Sequence, residues 1–376
     1  MTMRLWGRRA FVRGEIREDV LLDIEDGKFA DVRDGVPRPA NAEAIEEGVI
    51  LPGFIDVHVH GGAGADFMDA SDEAVAAVTE FHAKNGTTAM AATTLSGSRE
   101  DLRAAVRTIA RGTARPKAAE ICAVHLEGPY ISLHRAGAQD VGSIRPADIH
   151  ELAALIDEAP KLRWIMTIAP EIDGARGLIE HFRDLVYFSI GHTAADYGEA
   201  VNALEWGARH FTHLFNAMTG LNHREPGVVG AALVSATATA ELIADGIHVH
   251  PAVLRIAALM MPHRVALVTD AMRACGMPEG SYKLYGYDIS VAKGAARLAD
   301  GTLAGSTLTM QRAVQNMVEL AGLPLEMVVP LATEVPARIA GARERKGKLA
   351  PGFDGDVVVL TEKFEIERVI VRGERL

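Results

Sequence analysis

Cysteine is nearly missing from this chain of 376 residues, which has only Cys122 and Cys275. Two are too few for a disulfide framework, and Cys122 stands inside an apolar, strand-like run, so both are expected to be reduced thiols. Also missing is any run approaching the ~18 consecutive apolar residues of a membrane span. The opening segment MTMRLWGRRAFVRGEIRED is basic but lacks the apolar stretch of a secretion signal. These two absences predict a cytoplasmic protein with no membrane partner. Positive charge is scarce as well: 39 Lys and Arg against 50 Asp and Glu leave a formal net charge of −11. That balance argues against nucleic acid or an anionic membrane surface as a partner, while leaving room for a local basic pocket that binds a small anion. No segment is low in complexity, and no repeat recurs at a period of about 20 to 50 residues, which excludes solenoids and tandem arrays.

What the chain does have is apolar bulk. At 48% hydrophobic and 24% charged residues it can bury a large core, and one barrel with a small accessory domain fits its length better than two equal domains. The first fifty residues alternate short β-type runs (VLLDIE, KFADVRD) with Gly, Asp and Pro, and the C-terminus repeats the pattern in DVVVL and ERVIVRGERL. Residues 1–50 and 345–376 are therefore expected to combine into one small β-sandwich domain. Between them, residues 51–344 read as strand, loop and helix in repetition. The eight strand candidates are VILPGFIDVHVH, TTAMAATT, EICAVHLEG, RWIMTIAPE, VYFSIGHT, HFTHLFN, AELIADGIHV and RVALVTDAM. Helix-like stretches at 71–85, 98–111, 147–158 and 195–206 alternate with them, and SYKLYGYDISVAKGAARLADGTLAGS reads as a hairpin excursion. Eight such units predict an α/β fold, a closed (β/α)₈ TIM-like barrel, over an open doubly wound sheet.

Six metal-seeking side chains fall where these strands run out: His58, His60, Glu127, His192, His213 and Asp270. Strand C-termini of such a barrel converge on one mouth, so residues distant in sequence can share an ion there. Alternation along a strand puts His58 and His60 on one face together with Asp56, and leaves Val57 and Val59 facing the helices. Taken alone, each of these residues has a plain structural alternative: hydrogen-bonded core histidines, or for Asp270 a helix cap. Their recurrence at five of the eight strand ends points instead to a metallohydrolase. Ligation by His and Glu suits zinc first, ahead of iron, cobalt or manganese. Asp270 is open to a role as ligand, general base or both.

The ordered motifs PGFIDVHVHGG, HLEGPY, GHT, THLFNAM, HREPG, ADGIHV, VTDAM and TLAGS, with the tail GKLAPGFDGDVVVL, resemble the N-acetylglucosamine-6-phosphate deacetylase family of the amidohydrolase superfamily. The resemblance implies that Glu127, His192 and His213 bind the principal divalent metal and that His58 and His60 hold a second, giving one or two ions per chain. It implies that Asp270 is the catalytic aspartate. It assigns sugar-phosphate contacts to Asn216, Ala217, Arg224 and His248, with Arg224 and His248 often supplied across a homodimer interface, and lays Leu303 and Ala304 against the acetyl group. One departure stands out. The loop after HLEGP, where most members carry a histidine that touches the substrate, here reads RAGAQD, so Gln139 follows Ala138 at that position; a carboxamide donates a hydrogen bond but carries no charge. His134, a few residues earlier, is a candidate substitute.

The reaction these features imply is hydrolysis of an N-acetyl amino-sugar 6-phosphate, foremost N-acetyl-D-glucosamine 6-phosphate, to acetate and the amino-sugar phosphate. N-acetylgalactosamine 6-phosphate, or another N-acyl or cyclic amide, is the alternative substrate. A non-catalytic scaffold is disfavoured because no ligand position and no Asp270 is lost.

Overall fold

The computed structural model describes residues 2–376. Eight parallel strands follow one another around a barrel: Phe54–Val59, Thr87–Thr94, Glu120–Glu127, Arg163–Ile168, Val186–Ile190, His210–Phe211, Thr239–Ile243 and Val265–Val268. The last meets the first through the chain just beyond it. Asp270 N–H donates to the His58 carbonyl at 2.8 Å, and His60 N–H donates to the Ala271 carbonyl at 2.9 Å. The strands are buried along nearly their whole length because their outer faces are covered by helices, as in other all-parallel sheets.

Local chemistry sets where those helices begin. Ser71, Ser98, Asp148 and Asp196 each cap the first turn of the helices Asp72–Lys84, Arg99–Arg111, Ile149–Glu158 and Tyr197–Trp206 by accepting a main-chain N–H, and Asp196 with Glu199 forms a reciprocal capping box. These are the four helical stretches anticipated above. Helix Pro251–Met260 starts on a proline, whose fixed φ and missing N–H suit a first turn.

Two sequence readings need correction. The run VILPGFIDVHVH is not one strand: Val49–Pro52 pairs with the accessory sheet and Phe54–Val59 enters the barrel. Gly53 divides them because any Cβ there would sit 2.2 Å from Thr88 Oγ1. The segment after Asp270 is a four-stranded antiparallel meander rather than a hairpin: Gly280–Leu284, Tyr287–Ala292, Ala295–Arg297 and Leu303–Ser306. Its last strand is tied to the barrel mouth by Ser306 N–H to the Asp270 carbonyl at 2.7 Å and Met272 N–H to the Ser306 carbonyl at 3.0 Å. The helices Met310–Glu319, Leu325–Ala332 and Glu334–Ile339 then pack against the first and last barrel strands.

The terminal strands build one eight-stranded sheet with its own apolar core. Phe29 and Val32 near one edge share that core with Val359 and Ile370 near the other, and Phe29 exchanges main-chain hydrogen bonds of 2.8 Å with Gly352 and Phe353. The sheet therefore folds over on itself. Among the described residues, no helix is long and apolar enough to cross a membrane.

Candidate metal centre and active site

Each candidate ligand stands at or just past a strand end. Glu127 closes the third strand, His58 lies inside the first with His60 immediately after it, and His192, His213 and Asp270 follow the fifth, sixth and eighth strands by two residues. The last three have φ of 47°, 28° and 49°. Side chains other than glycine rarely adopt this left-handed conformation, and it persists where the surroundings over-determine it, as at functional sites. Here it turns each side chain inward across the mouth.

Glu127 is the hub. Its Oε1 lies 3.0 Å from His213 Nε2, 3.2 Å from His192 Nε2 and 3.3 Å from His58 Nε2, while Oε2 lies 3.3 Å from His60 Nε2. Asp270 Oδ1 is 3.2 Å from His60 Nε2 and 3.5 Å from His58 Nε2. All six side chains are nearly or fully buried. Burial alone would push Glu127 up, but the facing His58 and His192 outweigh it and hold the carboxylate well below its usual range. Asp270 is likewise lowered: burial opposes ionisation, and the charge of His58 with the hydrogen bond to His60 overrides it.

Tautomers test whether a cation fits. His192 Nδ1 is 2.8 Å from the Arg135 carbonyl, which only accepts, so this nitrogen carries the proton and a neutral ring offers a lone pair at Nε2. His58 Nδ1, 2.9 Å from Glu241 Oε2, makes the same choice. Yet His192 and His213 bring their Nε2 atoms within 3.1 Å of each other, and His58 and His60 theirs within 3.2 Å, all facing carboxylate oxygens. Lone pairs so arranged repel one another unless positive charge lies among them. Extra protons serve when nothing else does, which is why the carboxylates overcome burial to draw His60 up to about 9. A divalent cation serves better, and at the mouth two groups of three donors suit it, Glu127, His192 and His213, and His58, His60 and Glu127, with a third group, His58, His125 and Glu241, below them. The residues fit a metal.

A cavity of about 320 Å³ opens over this centre. A model of the amidohydrolase family matches residues 49–376. The N-acetylglucosamine-6-phosphate deacetylase of Bacillus subtilis (strain 168) is 38% identical over 368 residues, covering 96% of this chain and 93% of the relative. The chain is an amidohydrolase of the N-acetylglucosamine-6-phosphate deacetylase family. Across its full length this amidohydrolase is also 36% identical to the N-acetylgalactosamine-6-phosphate deacetylase of Escherichia coli O157:H7, covering 99% of that protein. Its fold superimposes on the crystal structure of N-acetyl-D-glucosamine-6-phosphate deacetylase from Mycobacterium smegmatis with a TM-score of 0.94 at 35% identity, covering 100% of both chains.

The amidohydrolase's cavity brings together His60, Glu127, His192, His213 and Asp270 with Ala138, Gln139, Asn216, Ala217, His248 and Leu303. His134 and Arg135 stand at its rim, both exposed. Three anticipated residues do not line this cavity. His58 lies beneath the cavity floor, and Ala304 is wholly buried between two lining residues, Leu303 and Gly305. Arg224 is exposed and lines a neighbouring cavity of about 590 Å³ with Asp196, Thr219 and Glu225. Gln139, whose position the resemblance gives to a substrate-touching residue, lines the cavity, is 5% exposed and is bonded to Glu127. His248 Nδ1 is 2.6 Å from Asp245 Oδ2; burial opposes its protonation, but this partner holds its pKa above the usual value.

Residues that sequence reasoning overlooked lie one layer deeper: Glu241, His210, His125 and Thr269. The eighth-strand Thr269 donates its hydroxyl to Asp56 Oδ2 at 2.5 Å, and burial pushes this aspartate's pKa up to about 7. A signal for Glu241 did exist. In TAELI the alternation that puts Thr239 and Ile243 inward puts the acid between them inward too.

Proposed function

We propose that the protein hydrolyses the N-acetyl group of an amino-sugar 6-phosphate, converting N-acetyl-D-glucosamine 6-phosphate and water to D-glucosamine 6-phosphate and acetate. The observation that carries this reading is one cavity lined by Asp270 together with the Glu127, His192 and His213 cluster, in a chain alike along its whole length to enzymes of that name. Zn²⁺ is the expected ion. Glu127, His192 and His213 would hold one ion and His58 and His60 a second, with Asp270 beside them. A bound divalent cation supplies Lewis acidity to the acetyl carbonyl and lowers the pKa of a bound water to about 7.

The remaining chemistry belongs to the chain. Asp270, kept ionised by His58 and His60, takes a proton from the attacking water as its oxygen bonds to the acetyl carbon. It returns that proton to the sugar nitrogen as the C–N bond breaks, because an amide anion is too poor a leaving group to depart unprotonated. Leu303 flanks the acetyl group, and His248, raised in pKa by Asp245, offers charge to the phosphate. Asn216 and Ala217 line the same cavity. Arg224 completes the phosphate site from a second subunit, since within its own chain it opens onto the adjoining cavity. The active form is accordingly a homodimer, in the cytoplasm, with residues 1–50 and 345–376 as an accessory domain beside the barrel of 51–344.

The relationship to the E. coli galactosamine-type enzyme favours N-acetylgalactosamine 6-phosphate as a second substrate to be measured beside the first. The test is metal-dependent deacetylation. Chelator-treated protein should lose acetate release from either sugar phosphate and regain it with added Zn²⁺, whereas activity indifferent to chelation and metal restoration would refute the metal reading.

A further inference from the structure

Beneath the ligand cluster the barrel lumen holds a second polar layer, centred on Glu241, whose side chain is fully buried. One oxygen serves two site residues. Oε2 lies 2.9 Å from His58 Nδ1 and accepts the main-chain N–H of His213 at 3.0 Å. The other, Oε1, is 3.0 Å from His210 Nε2, and His210 Nδ1 is 2.8 Å from Thr239 Oγ1. A buried carboxylate is costly unless its oxygens are occupied, and here three groups from the first and sixth strands and the residues just past them occupy them. The His58 ring is confined on its other side by the His125 ring, edge-on at 4.6 Å, which is itself fixed by the Val57 carbonyl at 3.0 Å and Thr167 Oγ1 at 2.8 Å.

The arrangement has a directional consequence. An acceptor at His58 Nδ1 keeps the proton there and turns the Nε2 lone pair toward the mouth, and a tether on the His213 main chain fixes where that ring leaves the backbone. His213 needs such a tether because its φ of 28° is a conformation the chain would otherwise leave. His58 belongs to one donor group and His213 to the other, so a single carboxylate acts on both.

We propose that Glu241 is a positioning residue that sets the geometry of both halves of the metal centre, holding His58 in its metal-ready tautomer and His213 in its strained backbone conformation. The inference rests on the metal-dependent reading above. Glutamine keeps the shape but not the charge: with its oxygen accepting from His58 and His213, its NH₂ faces His210 Nε2, which must move its proton to Nδ1 to accept, and a neutral amide oxygen holds the two N–H groups less firmly than a carboxylate.

The test uses the full-length protein with Glu241→Gln and with Glu241→Asp, which keeps the buried charge but withdraws it from His58 by one methylene. Zn²⁺ affinity is read by competition with a chelator, and ligand geometry by the visible absorption of the Co²⁺-loaded protein. Both variants should hold Zn²⁺ about 10–100-fold more weakly and show altered Co²⁺ bands while melting cooperatively in the metal-free state. If Glu241→Gln does not fold, Glu241→Asp decides. Wild-type Zn²⁺ affinity together with a wild-type Co²⁺ spectrum in a folded variant would overturn the inference and leave the metal reading standing. A wild-type chain that takes up no Zn²⁺ would overturn both.

Discussion

Gln139 donates its carboxamide N–H to Oε2 of Glu127 while its own oxygen accepts the main-chain N–H of Ser96 at 2.6 Å. Because Ser96 N–H can only donate, the amide has one sensible orientation, and the side chain is bound at both ends. It thus acts on the ligand carboxylate rather than reaching freely for the substrate carbonyl. Gln139→Ala should loosen Glu127 and weaken Zn²⁺ retention about 10–100-fold, measured by metal content after dialysis against graded chelator. Retention equal to wild type would return Gln139 to a substrate-facing role.

Asp270→Asn should leave fold and metal content intact while lowering kcat by a factor on the order of 10²–10⁴, since one carboxylate performs both proton transfers. Turnover near wild type in a metal-replete preparation would remove Asp270 from that role.

The eight strands are legible as apolar runs, and the candidate ligands because five of those runs are closed by a His, Glu or Asp, a pattern that survives without knowledge of packing. What failed to show was whatever depended on a neighbour far away in sequence. Gly53 looks like a tolerated interruption until Thr88 is seen to occupy the space of its Cβ. HFTHLFN promised a full strand, but only His210–Phe211 pairs, because His213 and Phe215 take positive φ to aim the ligand inward. The alternation in TAELI turns Glu241 inward, but nothing local announces the His58 ring 183 positions earlier. Gln139 was noticed for what it replaces, and its attachment to Glu127 follows from a loop conformation that no periodicity encodes.

Arg224→Ala should raise KM for the phosphorylated sugar far more than for its unphosphorylated analogue, through loss of a charge-assisted contact. Because Arg224 opens away from its own metal centre, coexpressing Arg224→Ala and Asp270→Asn chains should restore about a quarter of wild-type activity, the share of intact sites in randomly mixed two-fold dimers. Equal losses on both substrates, or no restoration, would mean that the arginine is not shared.

At the opposite end of the barrel, buried Lys346 meets Asp356 at 2.6 Å, Asp354 at 3.0 Å and Glu120 at 3.2 Å, which joins the C-terminal segment to the start of the third strand. Removing its charge with Lys346→Met leaves buried Asp356 without its cation, while Arg345 still pairs with Glu120 and Asp354, and should cost about 3–5 kcal/mol in chemical denaturation. The same cluster predicts an acid limb. Burial would raise Glu120, but Arg345 and Lys346 prevail and bring it from 4.5 to about 2. A carboxylate depressed on folding stabilises fully above its unfolded value and less as pH falls toward its folded one, so this contribution should fade between about pH 4.5 and 2. In Lys346→Met the fading should start at the same pH, which the unfolded value sets, but be smaller and finish at a higher pH; an unchanged acid limb would contradict the coupling.

Acetate and free-amine release from N-acetyl-D-glucosamine 6-phosphate, followed beside unphosphorylated N-acetyl-D-glucosamine with Zn²⁺-replete protein, tests the central claim most directly. The account predicts equal amounts of acetate and amine from the phosphorylated sugar, with kcat/KM far below that level for the unphosphorylated one. Equal rates on the two sugars, or no acetate from the sugar phosphate while another amide is cleaved, would contradict it.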